Sequence, residues 1–360
     1  MSLSLPVIDL SSYFEPTKFS DNDRETVSKA LHEACRLFGF FYLRLDGFAT
    51  EEEMAELTEL GREFFHLDQA KKDEIRLANE DGARGYQRLR ENVTMGKADN
   101  HEGIDFYRPV PDPDKSKPLW GTNQWPKHVP GFKDKFEAWI FKMQRLGMIV
   151  MEAMAKGLGM TREEWLDLRS KVDDSFWVMR IIGYPPLPSD HDGFSCGAHK
   201  DYGALTFLYA DPTPAALQVF LNSDSPAAKH AIDTSLVLPP EQGDVDGVWI
   251  NADPLRGAVV CNIGEMWETW TAGLYKSTLH RVIHRSSNYR VSVPFFFEAN
   301  FTAVVQPTPA ALRIIQDEAA NGDANISKLK DMYPPVVYGE FLKSKVGGNF
   351  TDESQPRERY

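Results

Sequence analysis

Between about residues 175 and 300 the chain is a succession of short apolar and aromatic runs cut by turn residues: SFWVMRIIGY, ALTFLYA, ALQVFL, GVWINA, GAVVCNIG, TLHRVIHR and YRVSVPFFFEA. Many short strands separated by Gly and Pro exclude a simple helical bundle. They favour an antiparallel sandwich or jelly roll, because each hairpin needs only a short polar connection. Residues 221–247 interrupt the pattern with a polar stretch containing Pro and Gly. That stretch is expected to be a surface loop.

Helical periodicity flanks this β region. Residues 22–38 place Val27, Ala30, Leu31, Ala34, Leu37 and Phe38 on one stripe, and Gly39 ends it. Thr50 with Glu53 reads as a capping box, as does Thr161 with Glu164. A long helix is expected over about 131–157, with Phe132, Phe136, Ile140, Met143, Leu146 and Val150 at helical spacing. Residues 78–130 read as loop-dominated, ordered by interleaved aromatics, and 308–320 and 336–345 as helical. The expected fold is therefore a mainly β core, 171–300, with flanking helices. An N-terminal helical and loop region, 1–170, packs on it, and a C-terminal helical segment, 301–360, completes one integrated domain.

Charge bounds the partners. The net charge is -13, from 40 basic and 53 acidic residues. An acidic surface repels phosphate backbones, so nucleic acid and anionic membranes are not expected partners. No run of about 18 apolar residues is present, so no membrane span is expected. Cys35, Cys196 and Cys261 are too few and too widely spaced for a disulfide framework. Three reduced thiols and an N-terminus without a signal peptide fit a cytoplasmic protein, monomeric or weakly oligomeric.

The chemistry-bearing residues lie in the β region. His199 and Asp201, in GAHKDYGALTFL, share one face if the segment is a strand. An imidazole and a carboxylate side by side are two-thirds of a facial metal site, the arrangement that suits Fe(II) with open positions. His280 and His284, in KSTLHRVIHR, are both candidates for the third ligand. They would stand roughly 13 Å apart on one strand, so both cannot bind one ion. Arg290 and Ser292, in NYRVSVPFFF, pair a guanidinium with a hydroxyl, a good grip for a carboxylate. Tyr184, before Pro185 and Pro186, offers a third donor.

Taken in order, these pieces resemble the isopenicillin N synthase-like branch of the 2-oxoglutarate/Fe(II)-dependent dioxygenases. The blocks that carry the resemblance are PVIDLS, LHEACRLFGFFYL, FFHLDQAKKDEI, RGYQ, NQWP, YPP, HKDYGALTFL, GAVVCNIGEMWETWTAGLYKSTLHRV, YRVSVPFFF and VVYGEFL. They cover almost the whole chain. The resemblance implies a double-stranded β-helix (jelly roll). It implies iron held by His199, Asp201 and His280, which leaves His284 structural. It also implies 2-oxoglutarate gripped by Arg290, Ser292 and Tyr184. Two departures stand out: Ile182 replaces the family's Asn two residues before the tyrosine, and Glu265 replaces the Asp after NIG.

The function so implied is oxidation of a small metabolite by O2, by hydroxylation, desaturation or cyclisation, with 2-oxoglutarate converted to succinate and CO2. Secondary metabolism is the expected setting. A 2-oxoglutarate-independent oxidase, an ethylene-forming type of enzyme and a non-catalytic binding module are the alternatives. The substrate pocket is expected to use residues in phase with the metal face: Arg180, Leu205, Phe207 and Phe296, with Phe106 and Arg88 from the N-terminal region. Phe296 is the expected platform for a planar or aromatic substrate. Trp267 and Trp270 are expected in the core.

Overall fold

The computed structural model describes residues 4–94, 97–222, 247–319 and 325–347. In chain order its strands are β1 (Val7–Asp9), β2 (Phe40–Arg44), β3 (Gly85–Gln87), β4 (Val93–Thr94), β5 (Lys97–Ala98), β6 (Glu102–Tyr107), β7 (Val178–Tyr184), β8 (Phe194–His199), β9 (Leu205–Ala210), β10 (Leu217–Asn222), β11 (Gly247–Asn251), β12 (Ala258–Ile263), β13 (His280–Ile283) and β14 (Arg290–Phe297). A large sheet runs β1-β2-β12-β9-β14-β7-β6-β3, and a smaller one runs β11-β10-β13-β8. The two sheets enclose an apolar cluster fed from both, including Ile182, Tyr184 and Val260 from one and Leu217, Val219, Ile250 and Val282 from the other. This is the jelly roll expected from the strand pattern.

The large sheet is buried on both faces. Even-numbered residues of β7 and β14 turn toward the small sheet. Odd-numbered Met179, Ile181, Val291, Val293, Phe295 and Phe297 turn outward into the main core. That outer face is covered by the helices Glu51–Phe65 and Phe132–Gly157 through Met54, Leu57, Phe64, Phe136, Met143, Leu146 and Val150. Each such side chain contributes about 1.5–3 kcal/mol on burial, so the helical layer is what closes the barrel wall. Gly147 lets the long helix approach most closely: a Cβ there would lie 2.2 Å from the Phe297 ring.

Local signals set the helix ends. Thr50 and Glu53 form the capping box, and so do Thr161 and Glu164. The helix Asp21–Leu37 begins on a further box, Ser20 with Asp23. It stops at Gly39, whose φ of +65° lets its N–H reach the Ala34 carbonyl at 3.1 Å. The stretch read as loop, 78–130, contains two members of the large sheet. β6 pairs with β7 from Glu102↔Gly183 to Tyr107↔Val178, and β3 pairs with β6. The sequence EGIDFY hides this strand because all six of its residues are buried, so no alternation shows. The interrupting stretch 221–247 joins β10 to β11, which pair antiparallel; its residues 223–246 lie outside the described part. Trp267 and Trp270 are in the main core. None of the described helices is long and apolar enough to cross a membrane.

Candidate metal centre

Strands β8 and β13 run antiparallel and place His199 and His280 as direct ladder partners. Asp201 follows two residues after His199, where the chain has left β8. The imidazole centroids are 4.2 Å apart. Asp201 Oδ1 lies 3.8 Å from His199 Nε2 and 3.7 Å from His280 Nε2. The three ligand atoms sit within 4.8 Å of one another, a separation that one bound cation bridges.

The remaining polar atoms are committed elsewhere, which fixes the orientation of each ligand. His199 Nδ1–H donates to the Gly197 carbonyl at 2.8 Å, and His280 Nδ1–H to the Thr278 carbonyl at 3.1 Å. Those bonds assign the tautomer that leaves both Nε2 lone pairs facing Asp201. Asp201 Oδ2 accepts from Thr206 Oγ1 at 2.5 Å and from Asn262 Nδ2 at 2.6 Å, so Oδ1 is the free oxygen.

Titration follows from this crowding. Burial, then His199, pushes His280 down to about 4. Burial would lower His199 too, but Cys196 and Asp201 outweigh it and push it up to about 10. Burial raises Asp201, yet the two imidazoles and its hydrogen bonds hold it below its ordinary value. A divalent cation would compete with protons for these three atoms, so its binding should weaken as pH falls. Two imidazoles and a carboxylate on one side of the ion, with the rest of its sphere open, suit Fe(II). His284 is set apart: it is buried, and its Nε2 pairs with the Asn288 carbonyl at 2.9 Å.

Arg290 starts β14 opposite Tyr184 on β7, and Ser292 lies opposite Ile182. Arg290 is 2% exposed, and its Nε and Nη1 make no hydrogen bond. The guanidinium stands 4.8 Å from the Tyr184 ring centroid. A buried cation with unused donors is costly unless an anion completes it. A carboxylate is the anion whose geometry matches that fork.

Residues 174–299 match the family model of the 2OG-Fe(II) oxygenase superfamily, and residues 5–128 match the non-haem dioxygenase in morphine synthesis N-terminal model. The chain is 38% identical to a homoarginine-6-hydroxylase of Glycine max, over 97% of this chain and 98% of that one. The chain belongs to the 2OG-Fe(II) oxygenase superfamily. It is a dioxygenase dependent on Fe(II) and 2-oxoglutarate. A homoarginine-6-hydroxylase of Oryza sativa is 36% identical over 96% of this chain and 98% of its own length. Among solved structures, a 2OG-Fe(II) oxygenase family protein from Caulobacter crescentus shares the fold with a TM-score of 0.72, 24% identity and coverage of 96% of this chain and 99% of its own.

Beside the triad this dioxygenase has a cavity of roughly 1120 Å³, counted to its open mouth. His199, Asp201, Arg180, Phe296 and Glu298 line it, with Tyr338, Leu342 and Val346 from the C-terminal segment. Arg180 and Phe296 are where strand parity put them. Arg180 is ion-paired with Asp105 at 2.7 Å.

Four expected pocket residues are elsewhere. Leu205 and Phe207 are in the main core, because residues 201–204 form an irregular turn that shifts the alternation by one; Thr206 points inward instead. Phe106 faces the helices and stacks on Trp125 at 4.0 Å, leaving its neighbours Asp105 and Tyr107 on the cavity. Arg88 is turned away by its ion pair with Asp73; Gln87 and Glu91 line the wall there. Sequence reasoning missed Glu298, although it continues the even-numbered phase of Arg290, Ser292 and Phe296.

Proposed function

We propose that His199, Asp201 and His280 hold the iron. We propose also that Arg290, Ser292 and Tyr184 hold the far carboxylate of 2-oxoglutarate, and that the substrate is a small basic amino acid of the homoarginine type. The substrate reading is carried by the end-to-end likeness to the homoarginine-6-hydroxylases. Bound iron and 2-oxoglutarate supply the oxidation of a C–H bond by O2, releasing succinate and CO2. The chain's own residues do the rest.

Arg290 neutralises the distal carboxylate, with Ser292 as a neighbouring donor, and so orients the co-substrate. Phe296 offers a flat face, and a guanidinium is itself planar and cationic, so the two can stack. The Arg180–Asp105 pair offers donors and acceptors for the amino-acid end of the substrate. The three free cysteines fit a reducing compartment, and we place the protein in the cytoplasm.

The test is incubation with Fe(II), 2-oxoglutarate, O2 and homoarginine. Succinate release should be stimulated by homoarginine and matched by a product heavier by one oxygen atom in mass spectrometry. Protein that binds iron and 2-oxoglutarate but shows no homoarginine-stimulated turnover overturns the substrate reading.

A further inference from the structure

The charges of the cavity do not balance, and the imbalance is located. Four carboxyl groups line it: Glu91, Asp105, Asp201 and Glu298. Asp105 is neutralised by Arg180 at 2.7 Å, and Glu91 lies at 2.9 Å from Arg76. Asp201 faces the two imidazoles. Glu298 is only 3% exposed, and among the described residues no ion pair reaches it. Its Oε2 accepts the Ala204 N–H at 2.8 Å, and the Tyr338 hydroxyl beside it is a second, neutral donor, so neither neighbour supplies a counter-charge.

The fold makes room for this carboxyl deliberately. A Cβ at residue 203 would lie 1.9 Å from both Glu298 oxygens, so any larger residue there would displace the carboxyl from its present position. The backbone beneath is equally tight: a Cβ on Gly264 would lie 2.3 Å from the Gly203 carbonyl oxygen. From the other side the Glu298 N–H is anchored to Ser175 Oγ at 2.9 Å. Burial, opposed by the Ala204 N–H and the Tyr338 hydroxyl, pushes the free acid up to about 8. Without a counter-charge the buried group keeps its proton near neutral pH, and a cation placed against it would favour the ionised carboxylate.

We propose that Glu298 is the group that selects a cationic substrate, receiving its guanidinium or ammonium head in the cavity beside the metal triad. The inference rests on the reading of this cavity as the substrate site and deepens it by naming the charge that the site recognises. Phe296, two residues earlier on the same face, supplies a ring that such a head can lie against. Glu298 is a specificity residue: it binds the end of the substrate and takes no part in the redox chemistry.

The experiment uses the whole protein loaded with Fe(II) and 2-oxoglutarate without O2, and measures binding by calorimetry. The probes are homoarginine, arginine and lysine as cations, and homocitrulline, in which a neutral urea replaces the guanidinium. Glu298→Gln keeps the size of the side chain and an oxygen for the Ala204 N–H. It should weaken homoarginine at least about 30-fold, as expected when one partner of a buried charge pair is removed. Homocitrulline should change less than about 3-fold, and the 2-oxoglutarate affinity should not change. Glu298→Asp, which keeps the charge, should recover part of the loss.

Homoarginine that binds both forms equally overturns the role of Glu298 and leaves the proposed substrate standing. Arginine or lysine binding that depends on Glu298, with homoarginine inert, overturns the proposed substrate and leaves Glu298 standing. A wild-type protein that binds none of the cations, or prefers homocitrulline, overturns both.

Discussion

His199 and His280 face each other across one rung of the small sheet, with ring centroids 4.2 Å apart and each Nδ1 tied to a backbone carbonyl. The ladder therefore sets the distance, and the carbonyls set the tautomer, before any ion is bound. Asp201 completes the set with one oxygen, its other oxygen being held by Thr206 and Asn262.

Removing a ligand should therefore abolish iron binding without unfolding the barrel. For His280→Ala we expect loss of stoichiometric Fe(II) and of substrate-stimulated succinate release, with an unchanged circular dichroism spectrum. Asn262→Ala takes away only a support of Asp201. Its Fe(II) affinity should fall about 10–100-fold, the usual cost of losing an outer hydrogen bond to a ligand. Metal titration followed by elemental analysis measures both. Full iron occupancy in His280→Ala would remove His280 from the ligand set.

Arg290 makes a prediction with two opposite signs. Its buried Nε and Nη1 are unpartnered without an anion, so Arg290→Ala should leave the co-substrate-free protein no less stable. The same change should weaken 2-oxoglutarate at least about 30-fold. The two readouts are thermal denaturation of the free protein and anaerobic titration of the iron form, followed by its visible absorption. A large loss of stability with intact 2-oxoglutarate affinity would make Arg290 a structural residue.

The cluster was only partly legible from the residues: the i, i+2 spacing put His199 and Asp201 on one face, but alternation left His280 and His284 open, and only the family resemblance chose His280. The jelly roll was legible from the short β-rich runs. Alternation alone misplaced Leu205 and Phe207, since the turn at 201–204 slips the phase by one residue and hands the inner face to Thr206. It also hid β6, a strand buried on both faces, and so chose Phe106 over its cavity-facing neighbours Asp105 and Tyr107. Tyr338, Leu342 and Val346 reach the cavity from a segment far along the chain, where no local pattern marks a pocket wall. Glu298 needed only one more step of the parity that found Phe296.

Gly147 tests the seam between the long helix and the large sheet. Alanine is intrinsically better than glycine in a helix by about 1 kcal/mol. Here the new methyl would lie 2.2 Å from the Phe297 ring, which is 1% exposed and packed in the main core. Overpacking of that kind costs about 1–3 kcal/mol, so the steric term wins. Gly147→Ala should lower stability in urea denaturation; an increase would show that the ring can swing clear.

Glu298 also gives the stability a pH dependence with a definite sign. Its folded-state pKa is raised to about 8, while in the unfolded chain the group returns to about 4.3. Below about 4 both states are protonated and the residue contributes no slope. Between about 4 and 8 the unfolded chain releases the proton and the folded one keeps it, so the unfolded state gains with rising pH. Above about 8 the effect levels off. In the substrate-free protein the difference in stability between Glu298→Gln and wild type should therefore widen across this window, by a few kcal/mol at most, roughly. Melting temperatures measured at intervals from pH 4 to 9 resolve it. Parallel curves for the two proteins would mean that the carboxyl ionises as freely in the folded wall as in water, and that its dry, unpaired setting is wrong.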